Sequence, residues 1–282
     1  MPTPTGKSQS NGEGPDREYA FVTGLYVAAF VAPLVVLALS RGVADAAALY
    51  VVFLVAVIGV TAGAGRIAYR IPGLAVTIGR TDAVWLLVAL PFSWFIGVFG
   101  GGVVGVDIPN IAFPLAVIGT AGGMLLGIIL VAMSRTRHAN AALNQSVELV
   151  EWEARWPRRW RRTGGAVSIL AFTISILGLF AAFVFNAEWG WRLYSLLFVG
   201  VVLMNVVNPR TFRVTDDGLV VEYPLQRQFR PWSAYTHYEI TDEALVIRSA
   251  AWWRLNHRCD RDDITDIDGV RSALNEIHLS ER

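Results

Sequence analysis

The residues with the clearest chemical character lie in one polar stretch, residues 134–165. There the run Val147–Arg162 (VELVEWEARWPRRWRR) spaces Trp152, Trp156 and Trp160 four residues apart, with Arg155, Arg158, Arg159, Arg161 and Arg162 around them. On a helix this spacing gathers the three indoles on one side. Indoles favour the headgroup boundary of a bilayer and arginines pair with anionic lipid there. The expected chemistry is therefore interfacial, an amphipathic helix lying on anionic lipid. Plain topological anchoring, with Pro157 ending the helix, is the competing expectation.

Residues that could catalyse are few and dispersed. His138, His237, His257 and His278 are scattered, and His257-Arg-Cys259-Asp lacks the spacing of a zinc site. Asp260, Asp262, Asp263, Asp266 and Asp268 do not form a calcium loop, because aligning Gly269 with the invariant glycine puts Ile264 at the first ligand position. No GxSxG, Walker, HExxH or dinucleotide fingerprint occurs. A lone Cys259 rules out an intramolecular disulfide. A lipid-directed enzyme would have only Arg80, Asp82 and His138 to draw on. The expectation is a non-enzymatic protein without metal or cofactor.

The elements that must position these residues are set by hydropathy. Of 282 residues, 54% are hydrophobic and 17% charged, against roughly 45–50% and about 25% in soluble domains. Residues 1–18 are polar and rich in Gly, Ser and Pro, and are expected to be a disordered lead. Six apolar stretches follow, at about 19–39, 46–64, 83–104, 111–133, 166–185 and 189–207. Each is close to the length that crosses about 30 Å of hydrocarbon at 1.5 Å per residue. The predicted architecture for 19–207 is an all-α membrane bundle of six helices. Gly97, Gly100, Gly101, Gly102 and Gly105 crowd the end of the third stretch.

Arginine placement predicts orientation. Twelve basic residues fall in the lead, the segment after span two and the loop after span four, whereas the opposite connections hold Arg41 and Arg192 beside Asp45, Asp107 and Glu188. Both termini are thus expected in the cytoplasm of a multi-pass protein of the cell membrane. Gly59 and Gly63, Gly97 and Gly101, and Gly119, Gly123 and Gly127 recur at the interval that lets helix backbones approach. They predict helix packing within the chain, or a homodimer through the Gly119–Gly127 face. No charged residue lies mid-span, which argues against a pump or ion-coupled transporter.

From Asn208 the pattern changes to period two. Phe212–Glu222 (FRVTDDGLVVE) recurs as Tyr238–Arg248 (YEITDEALVIR), each a strand, an acidic turn and a return strand. Arg230-Pro-Trp232-Ser precedes the second copy. TDIDGVRSALNEI closes the chain as a helix capped by Asp266 or Asp268, with Val270, Leu274 and Ile277 on one face. This arrangement over residues 208–282 resembles the pleckstrin-homology-like domains of prokaryotic membrane proteins. The resemblance implies a curved β-sheet or barrel closed by a helix, which binds lipids, peptides or its own kind without catalysis.

Two features depart from the lipid-binding version of that family. The terminal helix has no tryptophan, and basic residues on the hairpin are limited to Arg227 and Arg230. The segment carries ten arginines against thirteen acids, a net of −3, while the Trp-Arg loop carries seven arginines against Glu148, Glu151 and Glu153, a net of +4. An acidic domain is repelled by an anionic leaflet and by nucleic acid. A protein-contact surface at Arg227, Arg230 and Trp232 is expected instead, as is docking of the acidic tail on the basic loop. The function expected from these features is scaffolding, assembly or regulation through the cytoplasmic domain; the rival is a small-molecule exporter or channel with a regulatory domain.

Overall fold

The structure is a computed structural model that describes residues 16–43, 45–105, 109, 111–187, 189, 193, 196–252 and 254–277. The lead through residue 15, and Asp107, Glu188, Arg192 and His278, lie outside the described residues. The chain divides into two compact units, residues 1–141 and 142–282.

In the first unit, α1 (Arg17–Leu39) starts at Asp16, whose carboxylate accepts the Tyr19 N–H at 3.1 Å. Helix α2 (Ala46–Tyr69) starts at Asp45, which accepts from Ala47 and Ala48. The two pack where small residues permit it: a Cβ on Gly24 would strike the Thr61 carbonyl, and one on Gly65 would lie 3.1 Å from the Ala20 carbonyl. The third stretch is a broken element. Preceded by α3 (Leu74–Arg80), it runs as a 3₁₀ turn (Asp82–Trp85), α4 (Leu86–Ala89), a second 3₁₀ turn (Leu90–Phe92) and α5 (Ser93–Val103), and a bend of 99° separates 74–80 from 82–98.

The bend falls at Thr81, and the later interruption at Leu90–Phe92 is centred on Pro91. Proline has no N–H for the carbonyl four residues earlier, Leu87, and the Tyr26 hydroxyl donates to that carbonyl at 2.8 Å. Thr120 donates to the Pro91 carbonyl at 3.0 Å. Hydroxyls from α1 and α6 (Ala112–Leu143) thus satisfy the broken backbone. Helix α6 has 32 residues, about 48 Å, and continues past the expected end at Met133 through Arg135, Arg137 and His138.

The packing glycines divide. Gly119, Gly123 and Gly127 lie against Trp94, Pro91 and the Leu87 backbone, so the broken segment of the same chain fills that face. Gly59, Gly63 and Gly97 have nothing within 4 Å of an added Cβ, so among the described residues no helix packs closely on these three. Gly24, Gly65 and Gly79 make the close approaches in their place. Arg135, almost fully buried, lies over the Trp85 ring at 5.3 Å and 3.9 Å from Asp82.

The second unit joins a helix pair to antiparallel sheets. Helix α7 (Arg158–Phe185) and α8 (Leu196–Val207) pack through Ser168, which donates to the Gly200 carbonyl at 2.8 Å, and through Phe172 on Gly200. Four single helices of the described residues, α1, α2, α6 and α7, are long and apolar enough to cross a membrane, and a fifth element qualifies if the bent pair counts as one span. The predicted sixth stretch is described as helix over α8, and Gly190–Arg192 and Tyr194–Ser195 lie outside the described residues.

One sheet orders β1 (Glu148–Ala154), β2 (Arg210–Thr215), β3 (Gly218–Tyr223) and β4 (Gln226–Pro231); the other orders β5 (Tyr235–Ile240), β6 (Ala244–Ser249) and β7 (His257–Asp260). The internal repeat forms two like hairpins. Thr215 clamps the first turn with bonds of 2.8 and 3.1 Å to Gly218, and Thr241 clamps the second with bonds of 3.0 and 3.1 Å to Ala244. Helix α9 (Ile267–Glu276) begins at Asp266, which accepts from Gly269 at 2.8 Å, and buries Val270 and Leu274.

Strand β1 overturns the expected amphipathic helix over residues 148–154. It pairs with β2 from Glu148↔Thr215 to Ala154↔Arg210, and Trp152 stacks on Phe212 at 5.4 Å within the sandwich core. A four-residue spacing fits one face of a helix and one face of a strand equally. The deciding pattern is the alternation Val150, Trp152, Ala154 inward against Glu151 and Glu153 outward. Its partner strand lies sixty residues further along the chain.

Candidate functional site

The functional residues of the second unit collect where the chain passes between sheet and helices. Strand β1 ends at Ala154 opposite Arg210, the first residue of β2. Pro157 then starts α7, so both chain links between the sandwich and the α7–α8 pair lie side by side at one end, the base. By register, Thr211↔Glu222 and Tyr223↔Gln226 put the β3–β4 turn at the base as well.

A collar of arginines and aromatic rings surrounds this base. The Arg210 guanidinium lies over Trp156 at 5.5 Å and over Tyr223 at 4.9 Å. Trp156 meets Trp160 edge to face at 6.3 Å, and Arg258 of β7 lies over Trp160 at 5.9 Å. Cation–π contacts of this kind contribute about 0.5–1 kcal/mol at exposed sites. Arg159 and Arg162 are exposed on the first turns of α7, and Arg161 is half-buried there. The sandwich exposes large apolar side chains, Leu225 at 86% in the β3–β4 turn at the base and Leu255 at 79% in the β6–β7 connection.

The basic loop and the acidic tail meet directly. Asp263 accepts the Arg155 backbone N–H at 2.9 Å and its Nε at 3.2 Å, and Arg158 reaches Asp262 at 3.0 Å. Exposed pairs of this kind are worth little; the strand pairing and the burial of Trp152 carry the association.

The residues expected to form a partner surface do not come together. Arg227 and Arg230 are three apart on β4 and face opposite sides of the sheet. Arg227 pairs with Glu222 at 3.0 Å. The Trp232 indole donates to the Thr215 carbonyl at 2.9 Å and packs against the core, so its role is within the fold.

Two groups with chemical potential are locked inside the sandwich. Burial, with Arg230 and Arg210 nearby, pushes the His257 imidazole down to about 3, and its Nε2 sits 3.3 Å from the Tyr235 hydroxyl. Burial pushes the Cys259 thiol up to about 12, leaving it neutral and shielded. A cleft of about 360 Å³ between β1 and α9 is lined by Glu151, Glu153, Asp263 and Asp266. Three of these four carboxylates are engaged: Arg213 holds Glu151, Arg155 holds Asp263, and Asp266 caps α9. Among the described residues, no three His, Cys, Asp or Glu side chains gather as metal ligands.

The sequence pointed to Trp156, Trp160 and the arginines of α7. It concealed Arg210, Tyr223 and Arg258, which belong to three other strands and carry no local signal. No family model, curated protein or solved structure matches the chain.

Proposed function

We propose that this chain is a six-span protein of the cell membrane with both termini cytoplasmic. Its pleckstrin-homology-like sandwich serves as a scaffolding or regulatory module held against the cytoplasmic leaflet. One observation carries the reading: β1 and β2 are neighbouring strands of one sheet, yet α7 and α8 lie between them in sequence. A domain built this way needs no recruitment, because closing its sheet clamps both ends of the helix pair.

The headgroup layer then meets the base of the sandwich. The collar supplies Arg159 and Arg162 to anionic lipid, with Trp156 and Trp160 at the boundary. Leu225 enters the same layer. The opposite end of the first sheet, where Asp216 and Asp217 form the β2–β3 turn, faces the cytoplasm and is free for protein contact. The acids at the base, Glu222, Asp262 and Asp263, are each paired with an arginine, Arg227, Arg158 and Arg155, which suits that division.

Cys259 is too deeply buried to report topology. The test therefore introduces Asp217→Cys in a Cys259→Ser background. A membrane-impermeant maleimide is expected to label this residue in inside-out vesicles and not in intact cells. Labelling in intact cells would overturn the orientation. A photoreactive residue at Leu225 is expected to cross-link to lipid, and one at Asp217 to protein. Lipid adducts at Asp217 with none at Leu225 would reverse the placement of the domain.

A further inference from the structure

A second site lies in the first unit. Phe30, Leu34 and Leu37 form one stripe of α1, and Trp94, Gly97, Val98 and Gly101 form a stripe of α5. With Ser93, Pro109 and Ala112 they enclose a groove of about 340 Å³, and Arg41 stands at its lip. Gly97 keeps the groove open, since nothing lies within 4 Å of a Cβ added there. At its inner end Phe30 packs 3.6 Å from the Cβ position of Gly123, in the first half of α6.

We propose that this groove binds one acyl chain of an anionic glycerophospholipid, with Arg41 holding the phosphate. Length supports the occupant. From Phe30 to Leu39, where α1 ends with Arg41 in the turn just beyond, is nine residues, about 14 Å of helix, against about 15 Å for half of the hydrocarbon core. A chain lying along the α1 stripe therefore ends where its own headgroup meets Arg41. The wall chemistry agrees: apolar side chains and glycine backbone along the length, and a single guanidinium, suited to bidentate phosphate contact, at the end. The inference rests on α1 and α6 crossing a bilayer as proposed above, and the maleimide experiment tests that premise separately.

The test uses full-length protein in nanodiscs and phosphatidylglycerol carrying a diazirine on one acyl chain, with adducts mapped by peptide mass spectrometry. Adducts are expected on residues 30–37 and 93–101. Gly97→Leu, which fills the groove, is expected to lower them about tenfold, whereas Gly59→Leu, an equal change on an open face of α2, leaves them unchanged. Arg41→Gln is expected to lower labelling by phosphatidylglycerol about tenfold and to leave labelling by the phosphatidylcholine analogue at its own level. Equal labelling of the parent protein by both lipids would overturn the role of Arg41. Adducts insensitive to Gly97→Leu would overturn the groove. Displacement by oleate but not by unlabelled phosphatidylglycerol would mark a fatty-acid site and overturn the phospholipid. The Arg41 variant, altered at an exposed position, keeps the test valid if Gly97→Leu does not fold.

Discussion

The two units hold themselves together by opposite means. In the first, helices meet through glycine and alanine while large side chains point outward: Gly24 and Gly65 join α1 to α2, and Tyr50, Val55 and Ile58 of α2 are exposed. In the sandwich, large side chains turn inward. Trp152, Phe212, Tyr238, Leu245 and Leu274 are buried, and acids and arginines cover the outside. With the helices in a bilayer as proposed, the difference reflects the solvent that the helices and the sandwich face. Water drives apolar side chains together, whereas lipid offers them a medium as apolar as a protein core. Association in lipid therefore depends on close backbone contact and on hydroxyls such as Tyr26 and Thr120, which serve carbonyls freed around Pro91.

The contrast is broken most severely by removing a large side chain from the sandwich. Trp152→Ala is expected to cost about 3–5 kcal/mol. Cys259 reports it, because a thiol with no exposure reacts only when the sandwich opens. Its modification rate should rise roughly a hundredfold or more. An unchanged rate would show that β1 is not part of the core.

The first unit is expected to respond to added bulk instead. Gly24→Leu drives a side chain into the Thr61 carbonyl and should cost about 3 kcal/mol. Gly59→Leu, on an open face of α2, should stay within about 0.5 kcal/mol of the parent. Melting temperature in detergent measures both, and equal losses at the two positions would erase the distinction between them.

Acid should separate the units further. His257 stays neutral in the fold, its imidazole pushed down to about 3, chiefly by burial. An unfolded chain protonates the ring near pH 6.5 while the folded chain does not. This part of the stability is therefore complete above pH 6.5 and is lost as pH falls towards 3. At pH 5 the loss is about 2 kcal/mol. The denaturant midpoint followed by tryptophan fluorescence, compared between pH 7.5 and pH 5, measures it, with His257→Gln expected to remove most of the difference. The smallest effect is expected at Asp266→Ala, which uncaps α9 for about 1 kcal/mol and should be seen as faster amide exchange at Gly269 and Val270.

Much of this architecture is local and could be read from residue order. Apolar length announced α1, α2, α6 and α7, because a helix satisfies its own backbone and needs only enough greasy residues to cross. The repeat of Phe212–Glu222 at Tyr238–Arg248 announced two hairpins, since threonine turns and period-two alternation lie within a few residues of each other. Asp266 as the start of the last helix is equally local. The third stretch was read as one helix because its hydropathy is continuous; the break at Pro91 is stable only because Tyr26 and Thr120 come from other helices.

What tertiary structure alone decided is the fate of Val147–Arg162. Three tryptophans at intervals of four satisfy a helix and a strand alike, and Val150–Ala154 alternate as a strand only to a reader who can place β2. The partner strand lies beyond an intervening helix pair, so the pairing that buries Trp152 has no signature within reach of a local pattern. The same holds for the collar: Arg210, Tyr223 and Arg258 come to Trp156 and Trp160 from three strands. Composition and periodicity determine which segments are apolar and long enough to cross a membrane and which form hairpins, because those depend on neighbours in sequence. Which strand completes the sheet and which arginine covers which indole depend on neighbours in space, and only the closed fold supplies them.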